Sequence, residues 1–257
     1  MNSYGFLYGF QNFKDDLATW LLGSPIKLTE LSPTELSSKP IRADSLILLQ
    51  SDDLVLHTKF QTDPDEDIPF RMLDYRVRVY RRFPNKEMRQ VVIYLRKTSS
   101  ELVSENSFKL NNTYHQFEII RLWEQPTEKF MSIPGLLPFA VLSQTNDPKM
   151  VLSQVAKVVE AISDRQLQRN IAAASGILAG LVLNKNVISK ILRSEMMRES
   201  VIYQQILEEG EAKGKAETTR KLALNLLRIG MSLEQIAEVT ELSIEQIQVL
   251  QQEIQKS

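Results

Sequence analysis

The apolar residues near the N-terminus recur at intervals of three and four, which is the spacing of one face of a helix. They are followed by Gly23, and glycine readily ends a helix in the left-handed conformation. The pattern therefore predicts a first helix that closes at Gly23. Its apolar positions are Phe10, Phe13, Leu17, Trp20 and Leu21.

Two runs with β-type composition come next, Ser45 to Gln50 and Leu54 to Gln61. The polar break Ser51-Asp52-Asp53 separates them, and the arrangement predicts a β-hairpin. A helix is then predicted from Asp67 and Pro69 to about Phe83, where Pro84 stops it. Its apolar residues on one face are Phe70, Leu73, Val77 and Tyr80.

Two further apolar runs, Val91 to Leu95 and Phe117 to Leu122, flank a polar segment, Lys97 to Asn112, which is predicted to be a loop. The order helix, strand, strand, helix, strand, strand predicts an α/β fold in which a sheet packs against helices.

Helical periodicity replaces the β pattern from about Pro138 onward and starts again at Asp147-Pro148. The charged, glycine-containing segment Glu208 to Thr219 is typical of a solvated hinge. We therefore predict three parts: residues 1–140 as the α/β domain, 141–210 as a helical region, and 211–257 as the hinge and a helical tail.

Composition narrows the class of protein. The 257 residues carry a formal net charge of −1 and include no cysteine, which excludes disulfides and thiolate zinc sites and suits a reducing, cytoplasmic location. The N-terminus lacks the features of a signal peptide. Residues 171–183 are apolar but shorter than the roughly 20 residues of a membrane span, so they predict a buried helix, with a membrane-lying helix as the alternative.

The hairpin brings together the first candidate chemistry. If Ser51-Asp52 forms a symmetric turn, Leu49 faces Leu54 and Asp44 faces Lys59, with β-carbons about 5 Å apart. Strand alternation places His57, Lys59 and Gln61 on the same face as Asp44, and Leu54, Leu56 and Phe60 on the other face. A hard cation such as Mg²⁺ needs carboxylate oxygens at such a place.

These residues lie within a recognisable pattern. The stretches IRADSLILLQ, LVLHTKFQTDPDEDIPFRMLDYRVRVYRRFP and RQVVIYL resemble the recombination-promoting nuclease (Rpn) family, which includes transposase-related proteins of the PD-(D/E)XK superfamily. The resemblance covers roughly residues 5–140 and is strongest between Ala43 and Leu95. Asp44 matches the aspartate of the family pattern and Gln61 matches its glutamine, but Lys59 stands where the family has a metal-binding glutamate.

The resemblance implies a mixed sheet flanked by helices and a Mg²⁺-dependent DNA endonuclease, with Asp44 holding the metal and Lys59 and Gln61 at the other catalytic positions. A protonated lysine cannot ligate Mg²⁺ and repels it, so an ion pair with Asp44 and impaired hydrolysis are expected. Another carboxylate could restore a metal site. The candidates are Asp63, Asp65, Glu66, Asp67 and Asp74.

The helix after the hairpin is basic, and arginine beside an aromatic residue suits contact with phosphate and bases. The candidate contacts with nucleic acid are Arg71, Arg78 and Arg82, with Arg76, Arg81 and Tyr75 beside them and His57 on the candidate catalytic face. The alternative is that these arginines pair with Asp63 to Asp67 and with Asp74. For His57, the alternative is a half-buried strand histidine.

Two capping boxes, Ser232 with Gln235 and Ser243 with Gln246, outline a helix-turn-helix at the C-terminus. Its glutamines could contact DNA, but the acidic residues of this region favour contact with protein or a homo-oligomer formed through the helical C-terminal region. Three hypotheses follow: an impaired DNA endonuclease, a non-catalytic module that binds DNA or protein, and a helical assembly protein.

Overall fold

The computed structural model describes residues 13–32, 46–192, 200 and 218–255. The contacts divide the chain into two compact units, Met1–Gln204 and Gln205–Ser257. The first unit combines sheet and helices, and the described part of the second is helical. The α/β class with a helical C-terminal region, predicted from the sequence, is confirmed.

The first described element is helix α1 (Lys14–Leu22), which ends at Gly23 with a φ of 76°, as the sequence predicted. Three strands follow, β1 (Thr29–Glu30), β2 (Leu46–Gln50) and β3 (Leu54–Gln61). Helix α2 (Ile68–Arg82) then connects β3 to β4 (Glu87–Tyr94).

The strands form a five-stranded mixed sheet in the order β1-β2-β3-β4-β7, where β7 is Glu118–Arg121. The pairs β1-β2 and β2-β3 are antiparallel, whereas β3-β4 and β4-β7 are parallel. Parallel neighbours need a long crossover, and α2 provides it between β3 and β4.

A separate two-stranded hairpin consists of β5 (Ser107–Leu110) and β6 (Thr113–Gln116). The prediction that Lys97 to Asn112 is a loop was therefore wrong in its second half. Asn111 adopts a left-handed conformation with a φ of 49° at the tip of the hairpin. An Asn-Asn pair between short β-type runs is the signal that could have revealed it.

The other described elements of the first unit are helical. They comprise three 3₁₀ segments (Glu101–Ser104, Leu122–Glu124 and Pro134–Leu142) and helices α3 (Glu128–Met131), α4 (Pro148–Glu160), α5 (Arg165–Ala179) and α6 (Lys185–Ile191).

Both faces of the sheet are covered. On one face, Leu56 and Phe60 of β3 share a core with α1, the segment Pro134–Leu142, α4 and α5. On the other face, Val55 packs with Tyr75 and Val79 of α2. Helices α4 and α5 therefore belong to the same core as the strands, and the contacts divide the chain at Gln204–Gln205.

The apolar stretch of residues 171–183 is largely helix α5, in which Ile171, Ala172 and Leu178 are buried, so the buried-helix interpretation is confirmed. No helix among the described residues has the length and apolar character that crossing a membrane requires.

The β2-β3 register differs from the predicted one. Leu49 faces Leu56 instead of Leu54, and Lys59 faces Leu46 instead of Asp44. The ladder continues to Ser51, whose amide donates to the Leu54 carbonyl oxygen at 2.9 Å. The turn is therefore Asp52-Asp53, one position later than expected. Because the pairing shifts by two residues, the described side chains of β3 keep their predicted faces.

The second unit contains helical residues 218–228, α7 (Leu233–Thr240) and α8 (Ile244–Gln255). Ala223, Ile236, Ile247 and Leu250 form its core. Both predicted capping boxes are present, since each serine and glutamine pair exchanges its two hydrogen bonds. Of the predicted hinge, residues 208–217 lie outside the described residues, and 218–219 are helical.

Candidate functional site

The candidate site lies where β3 and β4 end side by side. Lys59 faces Val92 and Gln61 faces Tyr94 across the parallel pair. Partners in a sheet project to the same face, so Lys59 and Gln61 lie on the face that α2 covers. Leu56 and Phe60 project to the opposite face, which confirms the predicted alternation.

Asp44 lies outside the described residues, so the predicted metal ligand and its distance from Lys59 stay a prediction. The Gln61 side chain donates through Nε2 to the backbone oxygen of Asp63 at 2.8 Å. This contact ties Gln61 to the loop that leads from β3 to α2.

Asp65, one of the five candidate carboxylates, is influenced by the charge of Lys59. Burial raises the pKa of Asp65, but hydrogen bonds from Arg71 and from the amide of Asp67, together with the charges of Arg71 and Lys59, outweigh it and hold the pKa below its ordinary value. Asp65 forms an ion pair with Arg71. It therefore stays ionised, and its charge is balanced by two cations.

Two other candidate carboxylates are also paired with arginine. Asp63 contacts Arg96, and Asp74 contacts Arg78 at 2.8 Å. Among the described residues there is no group of three or more histidine, aspartate or glutamate side chains that could hold a metal ion. Each paired carboxylate would have to leave an arginine before it could bind a cation.

Tyr94 is a site residue that the sequence did not reveal. Its side chain is buried, and the hydroxyl has no hydrogen-bond partner within the described part of the chain. Burial raises the pKa of Tyr94, and the charges of Asp65 and Glu105 act in the same direction, whereas Arg71 opposes them. The uninterrupted apolar run Val91 to Leu95 conceals this position, since periodicity does not mark it as polar.

The basic residues of α2 divide between paired and exposed positions. Arg71 and Arg78 pair with Asp65 and Asp74, as the alternative interpretation anticipated for them. Arg82 is exposed, and its guanidinium carbon lies 5.7 Å from the centre of the Phe83 ring.

His57 is fully buried, so its side chain offers no surface to a phosphate. The ring packs on Tyr75 with 4.7 Å between centroids, and Nδ1 lies 2.9 Å from Nε2 of Gln90. Burial lowers the pKa of His57 to about 3, and the charges of Lys59 and His115 contribute smaller shifts in the same direction. His57 is therefore a neutral core histidine, which is even more buried than the alternative interpretation expected.

A groove of about 840 Å³ lies at the other end of β3 and β4. Its lining includes Leu54 and Glu87, the first residues of the two strands, together with Arg76 and His115. Burial and the charge of Arg76 lower the pKa of His115. The groove is thus separate from Lys59, and the candidate chemistry does not coincide with it.

Comparisons with protein-family models, with curated proteins and with solved structures find no match for this chain. The structure itself defines the class: an α/β protein with a mixed five-stranded sheet, a cluster of charged residues at the end of two parallel strands, and helices in the described part of the C-terminal unit.

Proposed function

We propose that this chain is a DNA endonuclease-like protein in which Lys59 impairs Mg²⁺-dependent hydrolysis of phosphodiester bonds. The resemblance to the Rpn family supplies the PD-(D/E)XK assignment, the expected DNA substrate and the link to recombination or mobile elements. The impairment is inferred from the position of Lys59, a cation on β3 whose charge lowers the pKa of Asp65.

The described residues do not fit a Mg²⁺ ion at residue 59. An ammonium group offers only hydrogen-bond donors, and Mg²⁺ requires oxygen ligands in near-octahedral geometry. The carboxylate on which Lys59 acts, Asp65, is already paired with Arg71. We therefore assign no hydrolytic step to these residues.

A nicking assay tests the proposal. Supercoiled DNA and Mg²⁺ are incubated with the wild type, Lys59→Glu, Lys59→Gln and the double variant Asp44→Ala/Lys59→Glu. Lys59→Glu should raise cleavage by at least roughly tenfold, because loss of even an outer-shell partner of a metal ligand commonly costs that factor. Lys59→Gln removes the charge without adding a ligand and should stay at the wild-type level.

The double variant should lose the gained activity, because Asp44 is the second expected ligand. Wild-type cleavage equal to that of Lys59→Glu would show that Lys59 does not impair the reaction. Cleavage by the double variant would show that the activity does not depend on Asp44.

A non-catalytic binding module is the second candidate function. The observation in its favour is that Asp63, Asp65 and Asp74 are each paired with an arginine, an arrangement that suits a site without metal-dependent catalysis. Such a module would bind DNA with an affinity that falls steeply with salt but would not cleave it, even as Lys59→Glu. Absence of DNA binding at low salt would leave a protein partner as the ligand.

A further inference from the structure

The outer surface of α2 carries an apolar stripe that the sheet does not bury. The stripe consists of Phe70, Leu73, Val77 and Tyr80, which share the face predicted from the sequence. The inner surface of the same helix is formed by Ile68, Met72, Tyr75 and Val79, all of which are buried. The helix is therefore apolar on two opposite faces, and only one of them packs against the sheet.

The exposure of the stripe is large. Phe70 is 56% exposed and Tyr80 is 62% exposed, and Val77 between them is also exposed. From Phe70 to Tyr80 the stripe extends about 15 Å along the helix at 1.5 Å per residue. Contiguous apolar surface of this kind is uncommon on monomers and marks interaction sites.

The β5-β6 hairpin extends the same surface. The Phe108 ring lies 5.7 Å from the Phe70 ring. Leu110, two residues further along β5, projects to the same side of the hairpin and is exposed. The apolar surface thus continues from the helix onto a second element.

Charge is distributed unequally along α2. Acidic residues cluster just before its first turn and basic residues in its second half; they are Asp63, Asp65, Glu66 and Asp67, and Arg76, Arg78, Arg81 and Arg82. Arg71 and Asp74, which lie between the two groups, pair with Asp65 and Arg78. Of the clustered residues, Glu66 and Arg81 are exposed and make no ion pair with any described residue. The chain just before the helix is therefore acidic and the end of the helix is basic, so each end attracts the opposite end of a second copy.

We propose that the α2 stripe is a homodimer interface in which a second copy of this chain packs its own α2 in the antiparallel direction. A two-fold axis near the middle of the stripe brings apolar residues of both copies together. The same arrangement brings Glu66 of each copy near Arg81 of the other. A helix with this charge distribution complements itself only when the copies are antiparallel.

Charge reversal in the full chain tests this arrangement by sedimentation velocity over a range of concentrations. Glu66→Arg places two arginines opposite each other in the dimer, and Arg81→Glu places two carboxylates opposite each other. Each variant should raise the dissociation constant about tenfold, because the two-fold axis repeats each contact and a surface pair is individually weak. Lys157→Glu, at an exposed position of α4, changes the charge equally and should leave the dissociation constant unchanged.

An equimolar mixture of the two variants provides the sharper result. In a heterodimer of Glu66→Arg with Arg81→Glu, both charge pairs are restored, one in the original and one in the reversed orientation. The mixture should therefore associate as tightly as the wild type, although each component alone does not. Val77→Asp, within the stripe, should weaken association in every combination.

Three results would overturn the proposal. The wild type could sediment as a monomer at all concentrations, the single reversals could leave its association unchanged, or the mixture could fail to restore it. If Arg81→Glu weakens binding of duplex DNA while the masses of all variants stay equal, the surface contacts DNA and is not a dimer interface.

Discussion

Nδ1 of His57 and Nε2 of Gln90 lie 2.9 Å apart in the interior between the sheet and α2. Gln90 Nε2 also donates to the carbonyl oxygen of Met72 at 2.8 Å. The amide of Gln90 therefore joins two neighbouring strands to the helix that covers them. With Nδ1 as the acceptor, the neutral ring carries its proton on Nε2.

The low pKa of His57 predicts a pH-dependent stability. The unfolded chain binds a proton near the ordinary pKa of 6.5, whereas the folded chain binds it only near 3. Between these values the unfolded state holds more protons, so the free energy of unfolding falls as the pH is lowered through this window. We expect a loss of about 1.4 kcal/mol for each pH unit from this residue.

Thermal unfolding followed by circular dichroism at several pH values measures this loss. The variant His57→Gln keeps an acceptor near Gln90 but cannot titrate, so its melting temperature should depend less on pH below 6.5. Parallel pH profiles of the wild type and the variant would show that His57 does not cause the effect. His115, whose pKa is also lowered, remains in both chains and supplies the common background.

The amide of Gln90 should be essential for stability. Gln90→Ala removes the donor to His57 Nδ1 and a second donor to the Met72 carbonyl oxygen. Nδ1 is then left unsatisfied in the interior, and an unsatisfied buried polar group costs about 1 to 3 kcal/mol. We expect a loss of about 2 to 4 kcal/mol in urea unfolding. Gln90→Met keeps most of the volume without the donors and should lose nearly as much. If the methionine variant is as stable as the wild type, packing and not hydrogen bonding explains the role of Gln90.

Local features of this fold could be predicted from the sequence because neighbouring residues determine them. The end of α1 at Gly23 and the capping boxes at Ser232 and Ser243 each depend on contacts within four residues. The alternation along β3 follows from strand geometry alone.

Features that depend on distant contacts were not predictable in the same way. The β2-β3 register is a local exception, since it is set by the added Ser51 and Leu54 pair, including the bond from the Leu54 amide to Ser51 Oγ at 3.2 Å. The polar run Ser51-Asp52-Asp53 does not by itself fix which two residues form the turn. Gln90 and Tyr94 acquire their surroundings only when β4 pairs with β3. The two apolar faces of α2 cannot be assigned to core and surface without knowing which one the sheet covers.

The segment Pro134–Leu142 gives a third prediction, which concerns close packing. The Gly135 amide donates to Asp16 Oδ2 at 2.8 Å, and a β-carbon at Gly135 would overlap the side chains of Asp16 and Phe13. Gly135→Ala should therefore cost about 1 to 3 kcal/mol in denaturant unfolding, the usual cost of overpacking.

A double-mutant cycle identifies the cause of that cost. Asp16→Ala removes the carboxylate and the hydrogen bond, so it should destabilise alone but should make Gly135→Ala less harmful in combination. If the two losses simply add, the overlap with Asp16 is not the source of the strain. We therefore expect the double variant to lose less free energy of unfolding than the sum of the two single losses.

The second unit offers a direct comparison of its two capping boxes. Ser232 Oγ and Ser243 Oγ each accept from the amide of the residue three positions later, at 3.3 Å in both cases. Ser232→Ala and Ser243→Ala should each destabilise this unit by about 1 kcal/mol, the typical value of an N-cap. Ser189→Ala is the control, because Ser189 Oγ donates to a carbonyl oxygen within its own helix and caps nothing. Amide hydrogen exchange of residues 233–255 measures the loss. We expect faster exchange in both cap variants and unchanged exchange in the control. Unchanged exchange would mean that the core of Ile236 and Ile247 maintains the two helices without their caps.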